Sequence, residues 1–199
     1  MGELKKFDLK YYIDKYNIKT FIETGTYKGD AIKYALNFGF EKIFSIELIT
    51  SIYQECVEIF KNEDRVILLN DNSINGLKKI LTSYNVGITL FWLDAHLPQI
   101  HKEFDNSIEI NYNKNKDILI PLEKELYTIT NNKDFSKDVF IIDDLRIYER
   151  GPFERGEWLE IINFYPDGIK FVFDMLDKTH FIVCSYNDEG YIICTPKTF

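Results

Sequence analysis

The sequence predicts an α/β fold: a seven-stranded, mostly parallel sheet with helices on both faces and a C-terminal antiparallel hairpin. The first supporting observation is that short apolar runs alternate with amphipathic segments, which is typical of right-handed βαβ units. The second is that several runs are nearly continuous in apolar residues, as burial on both faces of a parallel sheet requires. The third is that the last two runs lie close together across an Asn-Asp-Glu-Gly segment, which favours a hairpin.

The helices follow from apolar side chains that recur at helical spacing. An N-terminal helical cap is expected within residues 1–18, because this spacing holds over Leu4–Tyr16. Residues 95–117 are polar and lack apolar periodicity, so we expect an inserted loop or lid over the cleft. The remaining predicted helices are Asp30–Phe38, Thr50–Lys61, Ile74–Tyr84 and Ile118–Thr130.

The strands are expected where short apolar runs are bounded by Gly, Asn or Asp. Near the C-terminus, Lys170–Leu176, His180–Tyr186 and Tyr191–Thr195 are strand-like, and the last two are predicted to form the hairpin. The parallel strands are predicted at Thr20–Glu23, Ile43–Glu47, Val66–Leu69, Ile88–Leu93 and Val139–Ile142.

Length and charge argue against several classes of protein. The 199 residues fit one domain, 1–199, and 45% hydrophobic with 16% aromatic residues suffices for one large core. The formal net charge of -8 argues against a nucleic-acid partner, because phosphate binding needs excess Lys and Arg. No signal-peptide-like run follows Met1, and no stretch approaches the ~20 apolar residues of a membrane span. We therefore expect a cytoplasmic protein without a membrane partner.

The loop after the first predicted strand has the composition of a ligand-binding turn. Gly25 permits a tight turn and close approach of a ligand to the backbone, and Gly29 lets the next helix begin near the strand. Glu47 closes the second strand, where an acid can accept hydrogen bonds from both ribose hydroxyls of a nucleoside. Glu23, two residues before the first glycine, suits a ligand with positive charge. A βα turn that merely contains two glycines remains the alternative.

These residues resemble the class I S-adenosylmethionine-dependent methyltransferases, which have a Rossmann-like sheet that ends in a reversed strand. The likeness rests on Glu23-x-Gly25, on Glu47 and on the segment Asn70–Ser73 after the third strand, and it covers most of the chain. It implies S-adenosylmethionine as the cofactor, with Asp71 near the adenine. Thr26 departs from the pattern, since many members have glycine there. The implied cofactor-binding residues are Glu23, Gly25, Thr26, Gly29, Glu47, Asp71, Ser73 and Asp94.

Three further acids follow the fourth and fifth predicted strands. Asp94, Asp143 and Asp144 should face the same crevice, because the carboxyl ends of parallel strands meet at one edge. Three carboxylates together repel one another unless a proton or a cation compensates them, and Mg²⁺ prefers oxygen ligands. The alternative is that one of the paired aspartates caps a turn while Asp94 is solvated.

This pattern resembles the metal-dependent O-methyltransferases of the macrocin type. The likeness implies Asp94, Asp143 and Asp144 as Mg²⁺ ligands. The long insertion between these sites and His96 depart from the pattern, and the predicted catalytic residues are Asp94, His96 and Asp143. His96 is the natural proton acceptor, because its pKa lies nearest neutrality, although a structural role is the alternative. The run Pro121–Leu126, of the form Pro-Leu-x-x-Glu-Leu, also occurs in a loosely characterised group of small methyltransferase-like proteins.

The arginines beside the aspartate pair are the candidate residues for binding the methyl acceptor. Arg146 and Arg150 suit an anionic acceptor, whereas pairing with nearby glutamates is the alternative. The hypothesis is O-methylation of a small molecule or a glycan hydroxyl, assisted by Mg²⁺, in a protein that forms a homodimer. The other hypotheses are an inactive binding module with this fold and a nucleotide-dependent Rossmann enzyme. The missing Gly-x-Gly-x-x-Gly counts against the last of these.

Overall fold

The computed structural model describes residues 3–96 and 112–198. A seven-stranded sheet runs through it in the order β3-β2-β1-β4-β5-β7-β6. The first five strands pair in parallel, and β7 runs antiparallel to both β5 and β6. The predicted sheet and its C-terminal hairpin are therefore confirmed. The strands are β1 (Thr20–Thr24), β2 (Lys42–Glu47), β3 (Val66–Asn70), β4 (Thr89–Leu93), β5 (Val139–Ile142), β6 (His180–Ser185) and β7 (Tyr191–Pro196).

Helices cover both faces of the sheet, and the core is divided accordingly. Alternate strand residues face opposite sides, so Phe21 of β1 joins one apolar cluster and Ile22 joins the other. Within the described residues, no helix combines the length and the apolar character that crossing a membrane requires. The helices are α1 (Leu9–Tyr16), α2 (Asp30–Ala35), α3 (Thr50–Phe60), α4 (Ser73–Ser83), α5 (Tyr112–Leu119), α6 (Leu122–Asn132), α7 (Leu159–Ile162) and α8 (Lys170–Leu176).

The strand-like assignment of Lys170–Leu176 is wrong, since this segment is helix α8. Its β-branched and aromatic residues favour a strand locally, but Val172 and Leu176 are buried four residues apart on one helical face. Burial against the rest of the protein, rather than the local preference for a strand, thus makes this segment helical.

Two other predicted elements are divided in the structure. The N-terminal segment forms a 3-10 turn at Leu4–Lys6 and then α1, whose first turn is capped when Tyr11 N–H donates to Asp8 Oδ1 at 3.1 Å. The predicted helix 118–130 begins earlier and breaks at Pro121, between α5 and α6. Of the predicted loop 95–117, residues 97–111 lie outside the described residues, and its end is the helix α5.

The β1–α2 loop crosses the end of β4 at the place where the strand order reverses. Gly25 has φ +85°, and a Cβ built there would lie 2.7 Å from the backbone oxygen of Asp94. Only glycine fits this close approach without strain. The sheet therefore brings the loop after β1 and the end of β4 together at a topological switch point, where open α/β sheets form their ligand crevice.

Candidate active site at the carboxyl edge of the sheet

Five of the predicted acids lie together at the carboxyl edge of the sheet. Each follows or ends a strand in the central part of the sheet, and each is shielded from solvent, with Asp94 the least buried at 9% side-chain exposure. Within the described residues, Arg146 is the only lysine or arginine that forms an ion pair with any of them. The five acids are Glu23, Glu47, Asp94, Asp143 and Asp144.

Glu23 is held by a short chain of hydroxyl groups. The Ser45 hydroxyl donates to Glu23 Oε2 at 2.5 Å, and the Thr26 hydroxyl lies 2.5 Å from Ser45 Oγ. Burial raises the pKa of Glu23 to about 8, although the Ser45 bond opposes the shift. The predicted cofactor residues Glu23 and Thr26 thus belong to one connected unit.

Glu47 organises the loop in front of it. Its Oε2 accepts from Tyr27 N–H at 2.8 Å, and its Oε1 accepts from Ile49 N–H at 2.8 Å. Burial raises its pKa, while the backbone donors of Ile49 and Tyr27 oppose the rise. Each carboxylate oxygen keeps a further lone pair with which it could accept a ribose hydroxyl.

Gly29 allows α3 to pack closely against the start of α2. It has φ +70°, and an added Cβ would collide with the Phe60 ring. Because this packing sets where the helix begins, Gly29 shapes the loop through backbone placement.

Asp71 and Ser73 lie at the end of β3, but their surroundings differ. Asp71 Oδ2 accepts from Lys79 Nζ at 2.5 Å, and its Oδ1 accepts from Asn72 N–H at 2.9 Å. Ser73 is buried at the start of α4. Asp71 therefore already has a cation and a backbone donor as partners.

Asp94 and Asp143 form a buried carboxyl pair. Burial raises the pKa of Asp94 well above its ordinary value, and the charge of Asp143 adds to the rise. Burial likewise raises the pKa of Asp143 to about 6. Neither oxygen of Asp143 nor Oδ1 of Asp94 accepts a hydrogen bond from the described residues, although His96 Nδ1 lies 3.5 Å from Asp94 Oδ1. Burial therefore favours the protonated form of each carboxyl group of the pair.

Asp144 belongs to a separate arrangement with His96 and Arg146. Its Oδ2 lies 2.7 Å from His96 Nε2, and its Oδ1 accepts from Arg146 Nε at 2.7 Å. Asp144 has φ +55°, an uncommon conformation for a residue other than glycine, and this turns it towards both partners. The Trp158 ring meets the His96 ring edge-on, with 5.7 Å between centroids, and lies 5.5 Å from the Arg146 guanidinium carbon.

The charges of this arrangement stabilise one another. Burial alone would raise the pKa of Asp144, but His96 and Arg146 outweigh it and lower that pKa to about 2. Burial alone would lower the pKa of His96, but Asp144 and then Asp143 outweigh it and raise that pKa. His96 and Asp144 thus favour the charged forms of each other.

The predicted set of three metal ligands is not assembled as a set. No group of three or more His, Cys, Asp or Glu side chains in residues 3–96 and 112–198 has the arrangement of a metal site. Asp144 already has His96 and Arg146 as partners, whereas Asp94 and Asp143 keep unpartnered oxygens. Of the three predicted ligands, only Asp94 and Asp143 therefore have carboxylate oxygens that accept no hydrogen bond from the described residues.

The predicted acceptor-binding arginines lie in different surroundings. Arg146 is committed to Asp144, and its Nη1 donates to the carbonyl of Arg155 at 3.1 Å. Arg150 is exposed, and no ion pair within the described residues involves it. The structure thus places one of the two at the cluster of acids.

The sequence reasoning did not assign Glu125 a role in the site. Glu125 lies in the first turn of α6 and is 1% exposed. Burial raises its pKa to about 7, while the neighbouring hydroxyls of Ser73 and Thr24 and the charge of His96 oppose the rise. The sequence signal for Glu125 was its place in the Pro-Leu-x-x-Glu-Leu run, Pro121–Leu126. The sequence alone does not show that this run lies near β1.

Comparison with solved structures identifies this architecture. A protein from Staphylococcus aureus, described as a candidate caffeoyl-CoA O-methyltransferase, matches 98% of this chain and 85% of its own, with 14% identity and a TM-score of 0.64. An O-methyltransferase from Bacillus cereus, solved with S-adenosylhomocysteine, matches 99% and 82%, with 11% identity and a TM-score of 0.59. The chain has the fold of the class I methyltransferases.

The fold leaves the reaction open. A spermidine synthase from Thermotoga maritima also matches, over 98% of this chain and 62% of its own, with 12% identity and a TM-score of 0.53. No protein-family model and no curated protein sequence matches this chain. Function must therefore be argued from the site itself.

The buried acid Glu23 predicts a specific dependence of stability on pH. Because the folded protein raises the pKa of Glu23 from 4.5 to about 8, its contribution is fully present below pH 4.5 and is lost as the pH rises towards 8. Glu23→Gln has no ionisable group at this position, so it should not lose this stability as the pH rises. Urea unfolding between pH 4 and pH 9 should show the stability of Glu23→Gln relative to the unaltered chain rising with pH by up to about 1.4 kcal/mol per unit, then levelling above pH 8.

The exposed acid Glu55 provides the matched control, since it lies on α3 away from the site. The stability of Glu55→Gln should follow that of the unaltered chain at every pH. A constant difference between Glu23→Gln and the unaltered chain across the range would contradict the assignment of a raised pKa to Glu23.

Proposed function

We propose that this protein is an S-adenosylmethionine-dependent methyltransferase that acts on a hydroxyl group of a small molecule or a glycan. The observation that carries the proposal is the collection of buried acids at the switch point, of which only Asp144 pairs with an arginine among the described residues. Buried charges require partners, so an uncompensated group of acids favours a cationic ligand. S-adenosylmethionine carries a sulfonium and an ammonium group and no phosphate.

The arrangement of the site supports the orientation of this cofactor. Glu47, at the end of β2, would receive the ribose hydroxyls. Gly25 brings the loop after β1 against the backbone of Asp94, and the carboxyl groups of Glu23 and Asp94 would receive the positively charged methionyl part. The Bacillus cereus neighbour, solved with S-adenosylhomocysteine, is consistent with this assignment.

Methyl transfer requires alignment and removal of one proton. When bound, S-adenosylmethionine would supply a methyl group activated by the positive charge on its sulfur, and the residues of the site would align the acceptor oxygen with that group. In its neutral form, His96 would take the hydroxyl proton on Nδ1, which lies 3.5 Å from Asp94 Oδ1, because its Nε2 is engaged by Asp144 at 2.7 Å. This tautomer is assigned from the hydrogen-bond partners. The carboxylate of Asp144, with that of Asp143 nearby, would then stabilise the imidazolium that forms.

A metal ion fits part of the predicted ligand set. Asp94 and Asp143 have unpartnered oxygens, and Mg²⁺ commonly uses one or two carboxylates while it keeps several waters. These two residues would hold the ion, and Asp144 would not. When bound, Mg²⁺ would lower the pKa of a coordinated hydroxyl.

The cofactor proposal predicts tight binding that depends on Glu47. In titration calorimetry, the full chain should bind S-adenosylmethionine, and Glu47→Gln should bind it roughly 10- to 100-fold more weakly, because a charge-assisted hydrogen bond to the ribose is lost. Asp30→Asn, an exposed change on α2, should leave the affinity unchanged. An absence of binding by the unaltered chain, or equal affinity in Glu47→Gln, would contradict the proposal.

Turnover separates an enzyme from a binding module with the same fold. Release of S-adenosylhomocysteine should be measured over a panel of hydroxylic acceptors, and His96→Asn should lower the rate about 100-fold or more without weakening cofactor binding. Cofactor binding with no turnover on any acceptor would favour the inactive module instead.

The two-carboxylate metal assignment predicts how variants respond to Mg²⁺. Adding MgCl₂ should raise the melting temperature of the unaltered chain and of Asp144→Asn, but not that of Asp143→Asn, each compared with its own metal-free sample. A rise that persists in Asp143→Asn, or no rise in the unaltered chain, would contradict the assignment.

A further inference from the structure

Strand β6 forms one edge of the sheet, and among the described residues it pairs with β7 alone. Helix α8 packs against one face of the strand, where Ile182 and Cys184 contact the apolar core. Phe181 and Val183 lie on the opposite face, and each is 58% exposed. The strand therefore combines a free edge with exposed apolar side chains.

Edge strands commonly carry a feature that prevents them from pairing with another chain, such as a lysine, a proline or a bulge. Strand β6 has the sequence His-Phe-Ile-Val-Cys-Ser, which contains no lysine, arginine, acid or proline. Its register with β7 is regular from His180 to Ser185, so it contains no bulge. The other edge strand, β3, has no exposed large apolar side chain. The edge that lacks this protection is thus β6.

The backbone groups of β6 alternate between β7 and the free edge. Just before the strand, Lys197 N–H donates to the Thr179 carbonyl at 2.8 Å. Hydrogen-bonded pairs recur at every second residue of an antiparallel ladder, so the odd-numbered residues of β6 direct their N–H and C=O groups to β7. The even-numbered residues direct theirs outwards from the sheet, and they are His180, Ile182 and Cys184.

A second copy of the same strand fits this edge. If a two-fold axis passes beside Ile182, the N–H and C=O groups of this residue bond to those of Ile182 in the second copy. His180 meets Cys184 of the second copy in the same way, so every outward backbone group of the strand finds a partner. A register centred on an odd-numbered residue would instead bring together groups that already bond to β7.

The same register matches the exposed side chains. It places Phe181 opposite Val183 of the second copy, and Val183 opposite Phe181, at positions without mutual hydrogen bonds. Facing side chains come closest at such positions, and an aromatic residue opposite a β-branched one forms a favourable cross-strand pair. Each copy would therefore cover the apolar surface that the other leaves exposed.

The charges at the two ends of β6 favour the same arrangement. Before the strand, Lys178 is exposed and forms no ion pair within the described residues, whereas the adjacent Asp177 lies 3.5 Å from Lys197 Nζ. After the strand, the Tyr186 hydroxyl donates to Glu149, which has no ion pair within that part of the chain either. Because the two paired strands run in opposite directions, the lysine end of one copy lies beside the glutamate end of the other.

We propose that two copies of this chain associate through their β6 strands, which pair antiparallel about a two-fold axis and continue the sheet from one copy into the other. This gives the homodimer expected from the sequence a specific interface. Four strands separate β6 from β2, which ends in Glu47, so the proposal does not depend on the proposed function.

Sedimentation of the full chain over a range of protein concentrations tests the interface. The unaltered chain should form a dimer that dissociates on dilution, because an interface of this small size is typically weak. Val183→Lys should weaken association at least about tenfold, because both Phe–Val pairs are lost and a lysine is placed at the edge. Ile59→Lys, at a position on α3 that is 52% exposed, is the matched control and should leave association unchanged.

Hydrogen exchange of the unaltered chain distinguishes strand pairing from other contacts between copies. The amides of Ile182 and Cys184 should exchange more slowly as the protein concentration rises, whereas the Val183 amide, bonded to β7, should exchange slowly at every concentration. A chain that stays monomeric would overturn the proposal, and so would a dimer that persists in Val183→Lys. Slow exchange of the Ile182 and Cys184 amides in the monomer would also overturn it, because another part of the chain would then cover the edge.

Discussion

The constraint on which the site depends is the cost of burying several carboxyl groups at one edge of a sheet. An isolated buried carboxylate is expensive, so each group must be paired, protonated or completed by a ligand. Asp144 is paired with His96 and Arg146. For Glu23, Asp94 and Asp143, burial raises the pKa and so favours the protonated form. A cationic ligand bound among these acids would favour their charged forms instead.

The antiparallel hairpin supports this edge from outside. Leu145 and Arg146 donate their backbone N–H groups to the carbonyls of Gly190 and Glu189, at 3.0 and 3.2 Å. Lys6, from the N-terminal segment, reaches Asp188 and the Tyr191 hydroxyl at 2.8 Å each. The reversed strand thus holds the segment that follows Asp144, and with it the partner that orients His96.

Local patterning predicts the strands well because their burial on both faces leaves a continuous apolar signature. Val139–Ile142 matches its predicted bounds, and β1 extends one residue further than expected. The strand prediction for Lys170–Leu176 was wrong, because these residues form a helix that buries side chains four residues apart. Sequence also placed the acids at the strand ends, since parallel strands share one edge.

What sequence could not supply is which acids pair with which partners. The Asp144–His96–Arg146 arrangement depends on a left-handed backbone at Asp144, a conformation that the residue type permits but does not impose. Glu125 comes from a helix that folds back over β1, so its proximity to Thr24 is a tertiary fact. The pattern of Asp residues suggested three equivalent ligands, whereas the hydrogen bonds divide them into a pair and a separate partner of histidine.

We expect a cationic cofactor to displace protons from the buried acids whose pKa burial raises. The most direct measurement is calorimetry of S-adenosylmethionine and S-adenosylhomocysteine at pH 7 in buffers of different ionisation enthalpy, which counts the protons exchanged on binding. We expect net proton release with S-adenosylmethionine, and less with S-adenosylhomocysteine, which lacks the sulfonium charge. Proton uptake, or equal release with both compounds, would contradict it.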